Sequence, residues 1–318
     1  MRNSHELDGR RILDMVTRAI VGKNHIVIRV LLAILARGHI LLEDIPGVGK
    51  TTLALAFSRA LSLDYNRMQF TPDVLPSDVT GFSVYNRETG RMDYTPGTVM
   101  CNLFLADELN RATSRTQSAL LEAMEEGQVT VDGVLHPIPQ PFIVIATQNP
   151  VGASGTQLLP DSQLDRFMVR LSLGYPDHDD EVMLLKRKQG TSTKLLDRVE
   201  CVLTHHDLEI MRREVDAVHV DPSLLNYIVT LIGETRKHSQ VLQGASPRAS
   251  IALTAMAKAL AYVQGRDFVV PKDISPIFID TVAHRLILRP EAQNEGVTAS
   301  DILDEIKKSV YAPQIHKR

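Results

Sequence analysis

The sequence predicts an α/β fold, with a parallel sheet covered by helices on both faces and a second domain made of helices. Three observations support this prediction. Short apolar segments that suit buried strands alternate with amphipathic helical segments over the first two-thirds of the chain. A glycine-rich turn follows the first of these strands and leads directly into a helix. Beyond residue 204, only helix signals remain.

Four apolar segments are predicted to form strands of the sheet. They span residues 39–43, 102–106, 142–147 and 168–173. Amphipathic helices are predicted at residues 6–20, 24–36 and 50–61, and another begins at the capping box Ser114-x-x-Gln117. Two hairpins are predicted at residues 82–96 and 127–141, the second around the turn Asp132-Gly133.

A polar stretch without periodicity, residues 186–204, predicts a linker between two domains. The boundary is expected near residue 190, with an α/β core over residues 1–190 and a helical lid over residues 191–318. Asp221-Pro222 and Ser246-Pro247 each pair an N-cap residue with a proline at the first helical position. A last helix is predicted over residues 272–287. The chain length of 318 residues is enough for about two domains.

Composition and charge favour a globular cytoplasmic protein and disfavour two other classes. The net charge is −3, so no overall positive field attracts nucleic acid or anionic membrane. Aromatic residues make up 5% of the chain and Trp is absent, which leaves little material for stacking bases. No uncharged apolar run reaches the roughly 18 residues of a membrane span, and the two cysteines, Cys101 and Cys201, have no metal-type spacing.

The segment Asp44-Ile-Pro-Gly-Val-Gly-Lys50-Thr51-Thr52 has the composition and context of a phosphate-binding loop. Gly47 and Gly49 allow backbone N–H groups to turn towards phosphate oxygens, and the helix that follows presents its positive end. Lys50 is expected to reach the β- and γ-phosphates of ATP, and the Thr51 hydroxyl to ligate Mg²⁺. The alternative is an ordinary glycine-rich turn between a strand and a helix.

This loop departs from the standard pattern at its first position, where Asp44 replaces glycine. Aspartate tolerates left-handed backbone angles better than most residues, so the loop can still form. A carboxylate close to a triphosphate would be unfavourable. We therefore expect the Asp44 side chain to point away from the phosphates.

Polar residues at the ends of two other predicted strands complete a hydrolytic set. Asp107 and Glu108 follow the apolar strand Leu103-Phe-Leu-Ala, where the carboxyl edge of a parallel sheet holds ligands. Asp107 is expected to hold Mg²⁺, and Glu108 to orient and activate the attacking water. Asn149 ends the next strand and is expected to contact that water or the γ-phosphate; alone, Asn149-Pro150 would be read as a turn.

Two arginines are candidates for stabilising the charge that develops on a transferred phosphoryl group, an effect of about 10³–10⁵ in rate. Arg248, at the first turn of a lid helix, is expected to act on the nucleotide of its own subunit. Arg166, after a short helical turn, would reach the nucleotide of a neighbour, which requires a ring. Arg111 and Arg115 are the reserve candidates for this role.

Five segments together resemble the MoxR family of AAA+ ATPases. The similarity is in register over residues 20–176 and looser around Ala245-Ser-Pro-Arg-Ala249. The segments are Leu41-Leu-Glu-Asp-Ile-Pro-Gly-Val-Gly-Lys-Thr51, Gln69-Phe-Thr-Pro-Asp-Val-Leu-Pro-Ser-Asp78, Ala106-Asp-Glu-Leu-Asn-Arg-Ala112, Ala119-Leu-Leu-Glu-Ala-Met-Glu-Glu126 and Ala146-Thr-Gln-Asn-Pro150.

The resemblance implies a role for each matching position. It implies Walker B at Asp107 and Glu108, sensor 1 at Asn149, the arginine finger at Arg166 and sensor 2 at Arg248, which would also bind the nucleotide. It places Val21 and Gly22 on the adenine, although Gly22 also suits a helix C-cap. It implies Walker A at residues 44–51, and the nucleotide-binding positions in and beside that loop are Pro46, Gly47, Val48, Gly49, Lys50, Thr51 and Thr52.

The resemblance also implies a hexameric ring that uses Mg²⁺ and ATP to remodel or mature protein partners, among them proteins with von Willebrand factor A domains. The two hairpins would then face the ring pore or the partner, or else be plain surface. Two alternatives stay open: a nucleic-acid motor, which the mild acidity disfavours, and a nucleotide-gated scaffold without turnover. No membrane insertion is expected.

Overall fold

A computed structural model describes residues 2–45, 47–149, 159–189 and 195–314 of the chain. The strands of these residues are β1 (Ile40–Glu43), β2 (Tyr65–Gln69), β3 (Gly81–Asn86), β4 (Arg91–Pro96), β5 (Leu103–Asp107), β6 (Gln128–Val131), β7 (Val134–Pro137), β8 (Ile143–Gln148), β9 (Val169–Leu171), β10 (Val241–Gln243) and β11 (Ile287–Leu288).

The α-helices of the same residues lie between and after the strands. They are α1 (Arg2–Thr17), α2 (Asn24–Leu35), α3 (Lys50–Ala60), α4 (Pro76–Thr80), α5 (Ser114–Glu126), α6 (Asp161–Leu164), α7 (His178–Gln189), α8 (His205–Asp216), α9 (Pro222–Lys237), α10 (Pro247–Val263), α11 (Pro271–Ile274), α12 (Phe278–Val282), α13 (Pro290–Asn294) and α14 (Ala299–Ser309). Three-residue to four-residue 3₁₀ turns connect some of them.

The central sheet has the strand order β2-β5-β8-β1-β9, and every neighbouring pair is parallel. The predicted α/β class and four of the predicted strands are therefore confirmed. The sequence reading missed β2, because its residues alternate between partly buried and exposed side chains at the sheet edge. In this sheet all carboxyl strand ends share one edge, where the loop after β1 and the acids after β5 lie.

Alternate residues of the strands face two apolar clusters. In β5, Leu103 and Leu105 point to the cluster formed with α1, α2 and α3, whereas Phe104 and Ala106 point to the cluster formed with α5. Because both faces of the strand are covered, its sequence is continuously apolar rather than alternating. The sheet thus lies between two helical layers, as predicted.

The helices of the C-terminal region share the first of these clusters, which also contains apolar residues of α2 and α10. Arg212 of α8 is buried and ties this region to α2, since its Nε donates to the Ile34 carbonyl at 2.9 Å. Its Nη1 also donates to Glu209 at 2.9 Å. The lid helices therefore pack directly on the helical layer of the core.

One lid helix differs from its prediction. In place of a continuous helix over residues 272–287, the chain forms α11, 3₁₀ turns, α12 and the short strand β11. Pro276 lies inside this span and cannot donate a helical N–H, which interrupts regular hydrogen bonding. β11 pairs antiparallel with β10, a small ladder in a region expected to contain helices alone.

The predicted linker is also partly ordered against the core. Residues 190–194 lie outside the described residues, but the segment that follows runs along α3. Its Val202 N–H donates to the Ala60 carbonyl at 2.8 Å, and Arg59 donates to the Leu196 carbonyl at 2.5 Å. The domain boundary near residue 190 stays a prediction.

Both predicted hairpins are present, as β3–β4 and β6–β7, and they touch each other. The rings of Tyr94 and His136 stack with centroids 3.7 Å apart. Several large apolar side chains remain about half exposed on the hairpins: Phe82, Val84, Tyr85, Met92, Val134 and Leu135. Within the described residues, no helix is both long and apolar enough to cross a lipid bilayer.

The base of the first hairpin leads to a stability prediction at Gly81. This residue has φ +91°, and a Cβ there would lie 2.4 Å from the Thr95 carbonyl oxygen. Gly81→Ala should therefore lower the free energy of unfolding by about 1–3 kcal/mol in denaturant titrations. The matched control is Gly233→Ala in α9, where a Cβ meets no atom within 4 Å; it should be stabilising by about 0.5–1 kcal/mol. Equal effects of the two substitutions would contradict the prediction.

His39 leads to a prediction of pH dependence. It precedes β1, donates from Nε2 to the Met124 carbonyl and accepts the Val144 N–H at Nδ1, at 3.1 and 3.0 Å. Burial lowers the pKa of His39 to about 4. Because the unfolded chain binds this proton near pH 6.5, stability should fall as the pH drops from about 6.5 to 4, by at most about 3 kcal/mol from this group.

His39→Gln is the variant that isolates this effect, since a glutamine can replace both hydrogen bonds without titrating. Unfolding titrations at several pH values should show a shallower acid loss of stability in His39→Gln than in the unmodified protein. Parallel pH profiles for the two proteins would contradict the assignment.

Candidate functional site

The loop between β1 and α3 has open space beside its two glycines. Gly47 and Gly49 have φ of +88° and +101°, and a Cβ at either position would meet no atom within 4 Å. Lys50 is the first residue of α3, and Thr51 is the second. Only 7% of Lys50 is exposed, and its Nζ donates to the Asp44 carbonyl at 2.7 Å. Pro46, also predicted to bind nucleotide, lies outside the described residues.

The Lys50 ammonium lies among carboxylates. Burial lowers the pKa of Lys50, and the charges of Asp44, Asp107 and Glu108 oppose this shift in that order. The loop after β1 and the acids after β5 therefore belong to one electrostatic site, as the sequence predicted.

The Asp44 side chain points away from the loop, as predicted. Its carboxylate accepts hydrogen bonds from the Ser172 hydroxyl at 2.9 Å and from the backbone N–H groups of Leu173 and Gly174 at 2.5 and 3.0 Å. These bonds tie the end of β1 to the segment after β9. Asp44 is 5% exposed, so its replacement of glycine has a structural role.

Asp107 ends β5 and is held on both sides. Its Oδ1 accepts the Thr147 hydroxyl at 2.7 Å. Its Oδ2 accepts Nη2 and Nε of Arg67, on the neighbouring strand β2, at 2.6 and 3.2 Å. Both partners lie at the carboxyl half of the sheet, so Asp107 has a fixed orientation towards this edge.

Glu108 follows in a left-handed conformation, with φ +55° and ψ +46°, which turns the chain sharply after the strand. Its N–H donates to the Thr147 hydroxyl oxygen at 2.8 Å. Its carboxylate accepts Arg111 at 2.8 Å and the Asn149 amide at 3.2 Å. The hydrogen bond from Arg111 is the main reason that the pKa of Glu108 is lowered, so this carboxylate is ionised at neutral pH.

Asn149 brings a free acceptor to the same place. Its Nδ2 binds Glu108, while its Oδ1 is buried and has no hydrogen-bond partner among the described residues. A buried acceptor without a partner is costly unless a ligand or water donates to it. Asn149 is therefore positioned next to the carboxylate and prepared for a further donor.

A cavity of about 500 Å³ adjoins the phosphate loop. Its lining includes Val21, Gly47, Val48, Gly49 and Thr52, all predicted to bind nucleotide. It also includes apolar residues of α7 and the segment before it, namely Pro176, Leu184 and Leu185. An apolar cavity of this size beside a polar loop suits a flat heteroaromatic base.

Gly22, which follows Val21 of the cavity lining, is required for a steric reason. It has φ +76°, and a Cβ there would lie 1.5 Å from Oδ2 of Asp180 in α7. Close approach of α7 therefore requires glycine at this position. α1 already ends at Thr17, so the alternative role of Gly22 as its C-cap is wrong.

These residues fit a magnesium nucleotide. The loop offers N–H donors and Lys50 for phosphate oxygens, and Thr51 and Asp107 supply oxygen ligands of the kind that Mg²⁺ prefers. Among the described residues, no group of three or more His, Cys, Asp or Glu side chains could hold a metal by itself. A cation here would thus share its ligands with phosphate, as Mg²⁺ does in nucleotide sites.

Arg166 and Arg248, which we call the arginine pair, lie at the other edge of the sheet. Both form ion pairs with Glu125 in the last turn of α5. The residue before Glu125, Met124, accepts the hydrogen bond of His39 at the amino end of β1. Lys50 follows the carboxyl end of β1, so the four-residue strand, about 13 Å long, separates the two groups.

This placement corrects the expectation for Arg248. The sequence reading assigned it to the nucleotide of its own subunit, because it begins a lid helix. The lid instead packs so that α10 starts beside Glu125, at the amino edge of the sheet. In the described structure Arg248 therefore cannot contact a nucleotide bound at Lys50 of the same chain.

Sequence reasoning missed several partners of the site. Arg67 was invisible because β2 was not predicted. Arg111 was considered as a possible finger, but here it binds Glu108. Thr147 lies in the Ala146-Thr-Gln-Asn149 segment, one residue before the end of β8. This position near the strand end was the available signal for a contact with the acids. Glu125 lies in the segment 119–126 that carries part of the resemblance, but nothing in the sequence indicated that it pairs with the two arginines.

Comparisons with known proteins show which family the chain resembles. Residues 39–169 match the model of the ATPase family associated with various cellular activities (AAA), and residues 233–306 match the AAA lid domain. Protein YeaC of Bacillus subtilis is 47% identical, covering 97% of this chain and 96% of its own. Chaperone MoxR1 of Mycobacterium tuberculosis is 36% identical, covering 96% of this chain and 82% of its own.

One solved structure has a similar fold. The crystal structure of a protein from Cytophaga hutchinsonii, described as a candidate ATPase, superposes with a TM-score of 0.91 at 37% identity. The match covers 98% of this chain and 97% of that one.

Asp44 leads to a prediction that separates its structural role from nucleotide chemistry. Asp44→Gly restores the usual first glycine of the loop but leaves the Leu173 and Gly174 N–H groups without their acceptor. It should lower the free energy of unfolding without nucleotide by about 1–3 kcal/mol in denaturant titrations. Ser172→Ala removes one of the three bonds and should have a smaller effect. An unchanged stability of Asp44→Gly would contradict this role.

Proposed function

Because the chain belongs to the MoxR family of AAA+ ATPases, we propose that it hydrolyses ATP with Mg²⁺ in a homo-oligomeric ring and uses the energy to remodel a protein partner. One observation carries the proposal. Lys50, Asp107, Glu108 and Asn149, from three different strand ends, meet at one edge of the sheet beside the cavity at the loop.

The loop and α3 bind the triphosphate in this proposal. Backbone N–H groups around Gly47 and Gly49 surround phosphate oxygens, and Lys50 exchanges the Asp44 carbonyl for the β- and γ-phosphates. Thr51 and Asp107 would hold Mg²⁺, which neutralises phosphate charge when it is bound.

Glu108 and Asn149 act on the attacking water. The carboxylate of Glu108 is ionised and accepts a proton or orients the water, while Asn149 offers its unpartnered Oδ1 and its amide to the same region. Arg111 holds one oxygen of Glu108 before nucleotide binds. This partly exposed ion pair is weak enough to be replaced when the site fills.

The arginine pair acts on a neighbouring subunit. It lies at the edge of the sheet opposite to Lys50, so a subunit cannot bring it to its own γ-phosphate in the described conformation. A second copy that places its nucleotide edge against this amino edge would receive both guanidiniums. The family resemblance favours a ring of six such contacts.

The two hairpins are the proposed contact for a protein partner. Their large apolar side chains are about half exposed, and Tyr85 and Met92, on paired strands, are about 60% exposed. Exposed apolar patches are typical of surfaces that bind another protein. The family resemblance extends this proposal to partners with von Willebrand factor A domains.

Complementation between two inactive variants tests the proposal. Glu108→Gln should abolish ATP hydrolysis while keeping nucleotide binding, and Arg166→Ala should reduce hydrolysis by about 10³-fold or more. Mixed in equal amounts, the two should regain part of the activity, because intact Glu108 sites then receive an intact Arg166 from the neighbour. Steady-state phosphate release at fixed total protein measures this.

Two controls complete the experiment. Mixing Glu108→Gln with Lys50→Ala should restore nothing, because neither variant has a complete nucleotide site. The specific rate of the unmodified protein should rise with protein concentration. A rate independent of concentration, together with no complementation, would reject the action of Arg166 on a neighbour.

A further inference from the structure

The segment that carries Arg166 is held by a buried arginine of the lid. Arg285 is 7% exposed and its Nη1 donates to the carbonyl and carboxylate of Asp165 at 2.8 and 2.5 Å. Its Nη2 donates to the Phe167 carbonyl at 2.7 Å. Both neighbours of Arg166 are therefore fixed by one guanidinium, which belongs to a different part of the chain.

The same carboxylate is bonded to the start of the helix that carries Arg248. The Ser246 hydroxyl donates to Asp165 at 2.9 Å, and its oxygen accepts the Arg248 N–H at 3.2 Å as the N-cap of α10. Asp165 thus directly precedes one arginine of the pair and is one side chain away from the backbone of the other. The distance between the two backbone segments is set by these bonds.

At their tips, the two side chains share a counter-ion. Arg166 Nε lies 3.2 Å from Oε2 of Glu125, and Arg248 Nη2 contacts Oε1 of the same carboxylate. Two guanidiniums at such separation repel each other unless an anion lies between them. The Nε atom of Arg166 is buried without a hydrogen bond in the described residues, so its N–H can still donate to another acceptor.

The contacts of Arg285 and those of Glu125 differ in exposure. The Arg285 side chain is 2% exposed and donates to Asp165, to Phe167 and to the Thr281 carbonyl, so its contacts are buried and well held. The Glu125 side chain is 37% exposed, and ion pairs in contact with water are weak and readily exchanged. The Arg285 contacts can fix the position of the arginine pair, while the Glu125 contacts can be replaced by an incoming phosphate.

We propose that Arg285 and Glu125 are positioning residues that hold the arginine pair together as one unit for the phosphate of a neighbouring subunit. Arg285 sets the spacing of the two backbone segments, and Glu125 keeps both side chains extended side by side until phosphate oxygens replace its carboxylate. The inference rests on the proposed function, since it assumes that the pair acts on a neighbour.

The first test is Glu125→Gln, with Glu126→Gln as the matched control. Glu126 is the next residue on α5, is exposed and undergoes the same loss of charge. At protein concentrations where the specific rate has reached its plateau, Glu125→Gln should lower kcat about tenfold, because misplaced catalytic groups cost about that much or more. Nucleotide affinity, measured by titration with a fluorescent ATP analogue, should stay unchanged, as should Glu126→Gln in both assays.

A double-mutant cycle separates positioning from a merely structural role. Arg248→Lys should lower kcat by a larger factor in the unmodified protein than in Glu125→Gln, because the pair is already uncoupled in the variant. Additive effects, or a kcat of Glu125→Gln equal to that of Glu126→Gln, would overturn the role of Glu125.

Arg285→Lys tests the contacts of Arg285, with Arg289→Lys, at an exposed position, as its control. Lysine keeps the charge but cannot bridge Asp165 and Phe167 with a planar fork, so kcat should fall while Arg289→Lys stays active. If Arg285→Lys does not fold, Ser246→Ala replaces it and should also lower kcat. Normal rates for folded Arg285→Lys and Ser246→Ala would overturn the positioning role of Arg285.

The outcome of Arg166→Ala distinguishes the two possible failures. If Arg166→Ala is inactive and complements Glu108→Gln but the positioning variants keep full kcat, this inference fails and the proposed function stands. If Arg166→Ala itself retains full activity, the proposed function fails at the arginine pair, and the inference fails with it.

Discussion

The strands that the structure describes in the central sheet all run in one direction, and both sites depend on this polarity. Parallel strands collect their carboxyl ends at one edge, where the loop after β1, the acids after β5 and Asn149 after β8 meet. Their amino ends form the opposite edge, which carries the arginine pair before β9 and beside the start of β1. The sheet therefore separates the groups proposed to bind phosphate from the groups proposed to stabilise its transfer.

The two edges are also complementary in charge. At the carboxyl edge, Asp107 and Glu108 are each paired with an arginine of the same chain, Arg67 and Arg111. At the amino edge, two guanidiniums share the single carboxylate of Glu125. These pairs are partly exposed, so water and salt weaken them and a bound triphosphate can replace them. In the proposed ring, these internal ion pairs would be exchanged for contacts with phosphate and with the neighbouring subunit.

The nucleotide edge was predictable from the sequence because its chemistry lies in short contiguous segments. Each segment directly follows an apolar strand: the loop at Lys50, the acids Asp107 and Glu108, and the amide of Asn149. Because the strands are parallel, their carboxyl ends bring these groups to one edge of the sheet. Even the outward direction of Asp44 followed from charge repulsion. What the sequence could not give was the set of bonds that holds Asp44, since Ser172 lies 128 residues away.

Arg67 at the carboxyl edge and the arginine pair at the amino edge were not predictable, each for its own physical reason. β2 has no apolar pattern, because one of its faces carries Arg67 and Gln69 next to the acids rather than the core. The place of Arg248 depends on how the lid packs, and that packing is set by buried side chains such as Arg285, 120 residues away from its partner Asp165. Local signals correctly opened α10 at Ser246, but they contain no information on the edge that α10 approaches.

Helix α5 fixes how the two edges relate to each other. It begins three residues after Arg111, which binds Glu108, and carries Glu125 in its last turn. Its 13 residues span about 20 Å, and caps at Thr113 and Gly127 close both ends. Leu120 and Leu121 are fully buried against the sheet, so the helix cannot shift without disturbing the core. Arg111, which binds the Glu108 carboxylate, and Glu125, which binds the arginine pair, are thus kept at a fixed separation by this helix. In the described structure, the arginine pair therefore lies at the edge opposite to Lys50 of the same chain.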